Sequence, residues 1–328
     1  MPPCLAARQA DHRGRRPAGS ACRAAYRAGA AAVGLTLLAT AGCTTASSAS
    51  DRRPGIVAAI GAENQYANVI SQIGGRYVAT SAILSNPNTD PHTFELSPRV
   101  AAEVSSAQLI VQNGLGYDSY LNNIEAAAPN PARKVIDVQR LLSLPDSTPN
   151  PHVWYSPATM PAVAKAISSD LTALLPARAG YFAARLRAFD RSLRPWLRAL
   201  AQLRAEHPGT PVAVTEPVGD DLLQAAGFRN VTPFGLQADI MNGVDPAPQY
   251  LALERNLLLR RRVKVFIYNQ QVVDSLTRTF LRLATDQGIP VVGVYETMPA
   301  GYDYQSWMLA ETRALRRAVV GQVSTQRL

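Results

Sequence analysis

The sequence has few cysteines, and all of them lie near its N-terminus. The chain of 328 residues contains Cys4, Cys22 and Cys43, and no cysteine follows. The rest of the chain therefore cannot hold a disulfide framework, a thiolate zinc site or a cysteine nucleophile. Any metal site there must use histidine together with carboxylate or amide ligands.

Positive charge is also scarce beyond the N-terminal segment. The first 50 residues contribute +5 to the net charge of +9, which leaves only +4 for residues 51–328. A nucleic-acid-binding protein carries its basic charge on the folded domain, so we expect no nucleic-acid partner. With 47% hydrophobic and 17% charged residues, the chain can bury a sizeable core in one large or two medium domains.

Apart from one segment near the N-terminus, long apolar runs are absent as well. Residues 28–42 are apolar and uncharged, follow an arginine-rich stretch, and end in small residues before Cys43. This pattern is typical of an export signal, and its end resembles a bacterial lipobox, although Thr40 stands where leucine is commoner. We expect a lipoprotein signal peptide over residues 1–42, acylation of Cys43, and a flexible tether over residues 43–54. The protein would then be extracytoplasmic and anchored to the cell membrane; an ordinary cleaved signal is the alternative.

The exported part alternates short apolar strands with helices. This alternation predicts parallel β-α units and an α/β fold with two lobes. We expect an N-terminal lobe over residues 55–177 and a C-terminal lobe over residues 208–328. Apolar residues at steps of three or four predict a connecting helix over residues 178–207, which Pro195 should kink or divide.

Only four histidines occur in the chain. His12 leaves with the signal peptide, and His207 lies at a polar helix end, where we expect it to be exposed. His92 and His152 each follow a proline in a loop rich in Asn, Asp and Pro, so a rigid backbone can present each imidazole in a set direction. They are candidate metal ligands, or else exposed loop histidines.

Several motifs together resemble the metal-specific substrate-binding lipoproteins of ABC importers, the TroA-like group. They occur in order over about residues 55–320 and are Glu63-Asn64-Gln65-Tyr66, Gln72-Ile73-Gly74-Gly75, Asp90-Pro91-His92, Asn113-Gly114-Leu115-Gly116-Tyr117-Asp118, Asn150-Pro151-His152-Val153-Trp154 and Asp245-Pro246. The blocks around His92 and His152 are the most specific. The resemblance implies two α/β lobes joined by a long helix, with a metal bound in the cleft between them.

The resemblance also implies a ligand set. His92 and His152 match the two loop histidines of the first lobe, and Glu216 matches the third ligand after the first strand of the second lobe. Glu216 also ends an apolar strand, the edge where α/β folds place their sites, although a carboxylate there could simply interact with a helix dipole. The fourth ligand departs from the family pattern: Gln271 is our candidate, Asn269 and Asp274 are alternatives, and Asp274 could instead cap a helix.

The function implied by the resemblance is metal capture without catalysis. Two imidazoles and a carboxylate suit zinc, and further oxygen ligands make manganese tolerable. We expect a monomer that delivers Zn²⁺ or Mn²⁺ to an ABC permease. The same ligands could form a zinc-dependent hydrolase, but the sequence has no His-Glu-x-x-His motif. A lipoprotein binding an organic ligand through Tyr117, Trp154 and Trp307 is a third possibility.

Overall fold

The computed structural model describes residues 55–88 and 97–328. Within them, eight strands form two separate parallel sheets of four strands each. No helix in these ranges is both long and apolar enough to cross a lipid bilayer. The α/β class with two lobes is confirmed, and the two sheets share one strand order.

The first lobe is built on a sheet with the order β2-β1-β3-β4. Its strands are β1 (Val57–Glu63), β2 (Val78–Leu84), β3 (Leu109–Gln112) and β4 (Lys134–Asp137). Its helices are α1 (Asn64–Gly74), α2 (Pro98–Ser106), α3 (Tyr120–Ala127), α4 (Val138–Leu141) and α5 (Thr159–Leu174). β1 lies between β2 and β3, so the chain reverses its direction across the sheet at β1, and α/β folds of this kind place their sites beyond the carboxyl ends of such strands.

The second lobe repeats this arrangement with the order β6-β5-β7-β8. Its strands are β5 (Pro211–Val214), β6 (Arg229–Asn230), β7 (Val265–Asn269) and β8 (Val291–Val294). Its helices are α8 (Asp220–Ala225), α9 (Phe234–Met241), α10 (Pro248–Leu259), α11 (Ser275–Asp286) and α12 (Tyr304–Gly321). Because β7 lies between β5 and β8 and is parallel to both, the carboxyl ends of these three strands meet at one edge of this sheet.

The connection between the lobes is two helices, α6 (Ala179–Ser192) and α7 (Arg194–Glu206). Leu193 separates them, and Pro195 occupies the first turn of α7, where its missing N–H removes no helical hydrogen bond. The predicted apolar stripe is buried at most of its positions, including Phe189 and Trp196, but Leu197 is 39% exposed. The proline thus divides the expected single helix instead of merely kinking it.

One core runs through both lobes and the connection. Trp154 from the first lobe, Trp196 from α7 and Trp307 from α12 are fully buried in the same hydrophobic cluster. The Nε1 atom of Trp196 donates to the Thr312 hydroxyl at 3.1 Å, so α7 and α12 are joined by a buried polar contact as well as by packing. Trp154 and Trp307 are therefore core residues and offer no exposed ring to an organic ligand.

Candidate metal site

His152 is held rigidly and is completely buried. It precedes a short 3₁₀ turn, Val153–Tyr155, and the Asn150 amide oxygen contacts its backbone nitrogen at 3.1 Å and its Nδ1 at 2.8 Å. The Asn150 amide nitrogen donates to the Pro217 carbonyl at 2.9 Å, which fixes the orientation of that amide. Nδ1 must therefore carry a hydrogen, and Nε2 faces the site. Metal-binding histidines are commonly oriented in this way, by a hydrogen bond from the ring nitrogen that does not bind the metal.

Glu296 is the nearest acidic partner of His152. Its Oε2 lies 3.1 Å from Nε2 of His152 and accepts from the Tyr117 hydroxyl at 2.8 Å. Its Oε1 accepts from the amide nitrogen of Asn269 at 2.6 Å. The carboxyl group is completely buried, and a buried carboxylate beside an imidazole nitrogen is a place where a cation can replace a proton.

Glu216 lies at the same edge of the second sheet. It follows β5 by two residues and is 2% exposed, and its Oε2 accepts from the amide nitrogen of Asn269 at 3.2 Å. Asn269 thus contacts both carboxylates. In the part of the chain that the structure describes, no three His, Cys, Asp or Glu side chains form a complete metal cluster, so His152 and Glu296 make a direct pair that Glu216 joins through an amide.

The three candidates for the fourth ligand have other partners. The Gln271 amide oxygen accepts from the backbone nitrogens of Glu296 and Thr297, both at 2.8 Å. The Asn269 oxygen accepts from the backbone nitrogen of Gln271 at 3.0 Å. Asp274 caps α11 by accepting from the backbone nitrogen of Thr277 at 2.7 Å, the alternative that its position allowed. In the described part of the chain, these oxygens form their hydrogen bonds with backbone nitrogens and not with the imidazole of His152 or the carboxyl group of Glu296.

Glu296 is not among the residues that the sequence analysis selected, because the fourth ligand was sought after β7 and not after β8. A sequence signal was available: Glu216 follows Val214 by two residues, and Glu296 follows Val294 by two residues. Both are acidic residues placed just after a buried parallel strand, where neighbouring strand ends meet. His92 and Cys43 lie outside the described residues, so their predicted roles stay predictions.

The glycine-rich Asn113–Asp118 loop supports the site from the first lobe. Asn113 accepts from the Tyr66 hydroxyl at 2.6 Å and donates to the Pro151 carbonyl at 2.9 Å, next to His152. The Asp118 carboxyl accepts from the backbone nitrogens of Asn113 and Gly114. Gly114 has φ +78°, and a Cβ there would lie 2.9 Å from the Asp137 carboxyl oxygen, so the tight loop requires glycine.

Burial raises the pKa of two acidic residues, Asp118 in this loop and Glu63 at the end of β1. Desolvation raises the pKa of Asp118 to about 6, although the backbone hydrogen bonds from Asn113 and Gly114 oppose the rise. Desolvation, reinforced by the charge of Asp118, also raises the pKa of Glu63 well above its ordinary value. Both carboxyl oxygens of Glu63 are buried, and no other described residue forms a hydrogen bond with them. Burial therefore favours the neutral form of the Glu63 carboxyl group.

Solved structures of similar fold come from metal-binding proteins. A structure titled as that of ZnuA aligns with a TM-score of 0.65 and 22% identity over 80% of this chain and 99% of that chain. The Mn-bound periplasmic metal binding protein of Candidatus Liberibacter asiaticus aligns with a TM-score of 0.66 and 16% identity over the same shares. At these identities the likeness shows the fold.

Sequence comparison gives the family. The Zinc-binding protein TroA of Treponema pallidum is 25% identical over 150 residues, which are 44% of this chain and 47% of that protein. The chain spans less than half the length of the curated relatives it matches. The family model described as ZnuA, zinc-uptake complex component A, periplasmic, matches residues 60–318. The members of this family are substrate-binding proteins and not enzymes, as the sequence predicts. Because this family model matches most of the chain, the chain belongs to the ZnuA family of metal-binding periplasmic proteins.

Proposed function

We propose that this protein captures a divalent transition metal outside the cytoplasm and delivers it to an ABC import permease. The observation that carries the proposal is the buried contact between Nε2 of His152 and Oε2 of Glu296. Nε2 is the nitrogen left available by the hydrogen bond of Nδ1 to Asn150. A metal ion bound there would displace the proton between these two atoms, and Nε2 and Oε2 would then be two strong ligands of the ion.

The proposed ligands are His92, His152, Glu216 and Glu296. Glu296 takes the place that the sequence pattern gave to Gln271, because its carboxylate contacts His152 while the Gln271 oxygen is used by backbone nitrogens. Two imidazoles and two carboxylates suit Zn²⁺ best, and the carboxylate oxygens make Mn²⁺ the next candidate. Relatives named or titled for zinc binding and for bound manganese are consistent with either ion.

Metal analysis and calorimetry on residues 44–328 test this function. We expect the wild type to bind zinc more tightly than micromolar and manganese more weakly, with affinity falling in acid as protons compete for the imidazoles. The variants His92→Ala, His152→Ala and Glu296→Gln should each weaken zinc binding at least tenfold. His207→Ala is the matched control, because His207 follows the end of α7 and should leave affinity unchanged. A wild type that binds neither ion at micromolar concentration would refute the proposal.

Membrane attachment through acylated Cys43 belongs to the same proposal and is tested separately. An alkyne fatty acid fed to producing cells should label the wild-type protein and fail to label Cys43→Ala. Label that persists in Cys43→Ala would show that the protein is not anchored through this residue. Because one acyl chain alone holds a protein only marginally, we expect more than one chain on the mature protein.

A further inference from the structure

Asn269 is the residue that links the two proposed carboxylate ligands. Its amide nitrogen donates to Oε1 of Glu296 at 2.6 Å and to Oε2 of Glu216 at 3.2 Å. An amide NH₂ group has two hydrogens, so it can serve both carboxylates at once. Asn269 is 1% exposed and ends β7, the strand that lies between β5 and β8 in the sheet.

The orientation of this amide is fixed by independent contacts. Its oxygen accepts from the backbone nitrogen of Gln271 at 3.0 Å. The backbone nitrogen of Asn269 contacts the Thr215 hydroxyl oxygen at 3.1 Å, next to Glu216. Turning the amide over would place its oxygen against two carboxylates and its NH₂ against a backbone N–H. The nitrogen therefore faces the carboxylates and the oxygen faces away from them.

The electrostatic demand on this position is high. Glu216 and Glu296 are both almost fully buried, and a buried carboxyl group is costly unless hydrogen-bond donors or a cation satisfy its oxygens. An asparagine supplies hydrogen bonds to both without adding charge. An aspartate of the same shape would instead add a third carboxylate and remove both donors.

We propose that Asn269 is a positioning residue, which holds the carboxylates of Glu216 and Glu296 at a fixed separation before the metal arrives. This inference rests on the proposed metal-binding function and adds a residue that does not itself bind the ion. Loss of such an outer-shell hydrogen bond typically lowers metal affinity by about 10–100-fold. The effect should be larger than that of any neighbouring polar residue that avoids the two carboxylates.

Zinc titration calorimetry on residues 44–328 tests the inference with Asn269→Leu, Asn269→Asp and the control Gln270→Ala. Gln270 is the next residue, and its amide contacts the Tyr268 hydroxyl and the Gln326 carbonyl. We expect Asn269→Leu to bind zinc about 10–100-fold more weakly and Gln270→Ala to bind it as the wild type does. Urea unfolding of each metal-free variant verifies that it is folded.

Asn269→Asp gives a readout that a merely structural role would not change. With three carboxylates together, the metal-free variant should hold a proton that zinc must displace. Calorimetry in buffers of different ionisation enthalpy should then show about one more proton released per zinc than in the wild type, together with a steeper fall of affinity in acid. This variant decides the question if Asn269→Leu does not fold.

The outcomes separate the inference from the function on which it rests. A wild type that binds no zinc overturns the proposed function and this inference with it. A wild type that binds zinc, with equal affinity and equal proton release in Asn269→Asp, overturns the positioning role alone. Weakened binding in the Asn269 variants with normal binding in Gln270→Ala supports it.

Discussion

The two segments that carry Glu216 and Glu296 occupy equivalent places at the end of a strand, yet they are held very differently. Glu216 follows β5 and Glu296 follows β8, each two residues beyond the last strand residue. From the first lobe, the Glu216 segment receives one hydrogen bond among those described, from Asn150 to the Pro217 carbonyl at 2.9 Å. The Glu296 segment receives a set of them.

Three side chains of the first lobe hold the segment from Tyr295 to Met298. The Tyr155 hydroxyl donates to the Tyr295 carbonyl at 2.8 Å and accepts from the Tyr295 nitrogen at 3.2 Å. Gln65 donates to the Glu296 carbonyl at 3.3 Å. Asn64 makes a reciprocal pair with the backbone of Met298, donating at 2.8 Å and accepting at 2.9 Å.

This difference shows that the lobe to which a segment belongs in sequence is not always the only lobe that holds it in place. Glu296 belongs to the second lobe and is held there by Asn269 and Gln271, but its segment is also attached to the first lobe, beside His152. Glu216 remains attached to its own sheet, where the Thr215 nitrogen donates to the Ile267 carbonyl at 3.0 Å. Any separation of the lobes should therefore loosen the contacts of Glu216 before those of Glu296.

The largest effect concerns how stability depends on pH, and it comes from the buried carboxyl group of Glu311, which contacts the Tyr155 hydroxyl. Burial raises the pKa of Glu311 to about 8, although hydrogen bonds from Trp307 and Tyr155 oppose the rise. The folded protein thus keeps this proton up to about pH 8, whereas the unfolded chain loses it above about pH 4.3. The stability that the neutral acid provides is present in acid and is lost as pH rises through this window, on the order of 3 kcal/mol between pH 5 and 8.

Glu311→Gln keeps a neutral group of the same shape and should remove this pH dependence. Urea unfolding of metal-free protein should show the variant close to the wild type at pH 5 and clearly more stable than it at pH 8. Asp286→Asn, at the exposed end of α11, is the control and should shift stability equally at both pH values. If the difference in unfolding free energy between the wild type and Glu311→Gln were the same at pH 5 and pH 8, it would contradict the raised pKa of Glu311.

Tyr155→Phe should have the next largest effect. It removes one hydroxyl and leaves both the N–H and the carbonyl of Tyr295 buried without this partner, so we expect a loss of about 2 kcal/mol in unfolding free energy. Zinc affinity should also fall, because Glu296 is the next residue. Tyr302→Phe, at a partly buried ring packed against the same core, is the control. Equal urea midpoints for the two variants would argue against the Tyr155 contact.

Asn64→Ala should cost somewhat less, about 1–2 kcal/mol, because it breaks a pair of hydrogen bonds that are only partly buried. The metal readout is kinetic: zinc should dissociate faster when a chelator is added, since the segment carrying Glu296 is released from the first lobe. Asn123→Ala, on the exposed side of α3, should change neither quantity. Unchanged dissociation in Asn64→Ala would show that Gln65 and Tyr155 suffice to hold the segment.

Much of this architecture follows from local pattern, and the site only partly does. Buried strands such as β3 and β7 and the amphipathic helix α11 are visible as apolar runs and periodicity. Strand β4 lacks such a signal, because Lys134 and Asp137 flank only two apolar residues and Val135 is 41% exposed. Helix α5, Thr159–Leu174, has a weak signal, because many of its residues are small. His152 stood out through its rigid loop.

The contact of Glu296 with His152 and the contacts of Asn269 with both carboxylates could not be found by the same means. The partners that define them are distant in sequence: His152 is 144 residues from Glu296, and Asn269 is 53 residues from Glu216. A hydrogen bond between chain segments so far apart depends on the packing of the two sheets, and no local periodicity encodes that. The equal spacing of Glu216 and Glu296 after their strands was the one available clue.

The smallest effect concerns the hydrogen bond from Asn150 to the Pro217 carbonyl, which, among the described residues, joins the first lobe to the Glu216 segment. Asn150→Asp keeps the acceptor for His152 but removes the donor to the Pro217 carbonyl, so we expect a stability loss below about 1 kcal/mol. Asn150→Ala removes both functions, and its zinc affinity should fall well below that of Asn150→Asp because Nδ1 of His152 loses its acceptor. The two urea midpoints and two zinc affinities therefore separate lobe attachment from histidine orientation. If Asn150→Asp lost as much stability as Tyr155→Phe, the two segments would be equally attached to the first lobe, and Glu216 would have no greater freedom to move than Glu296.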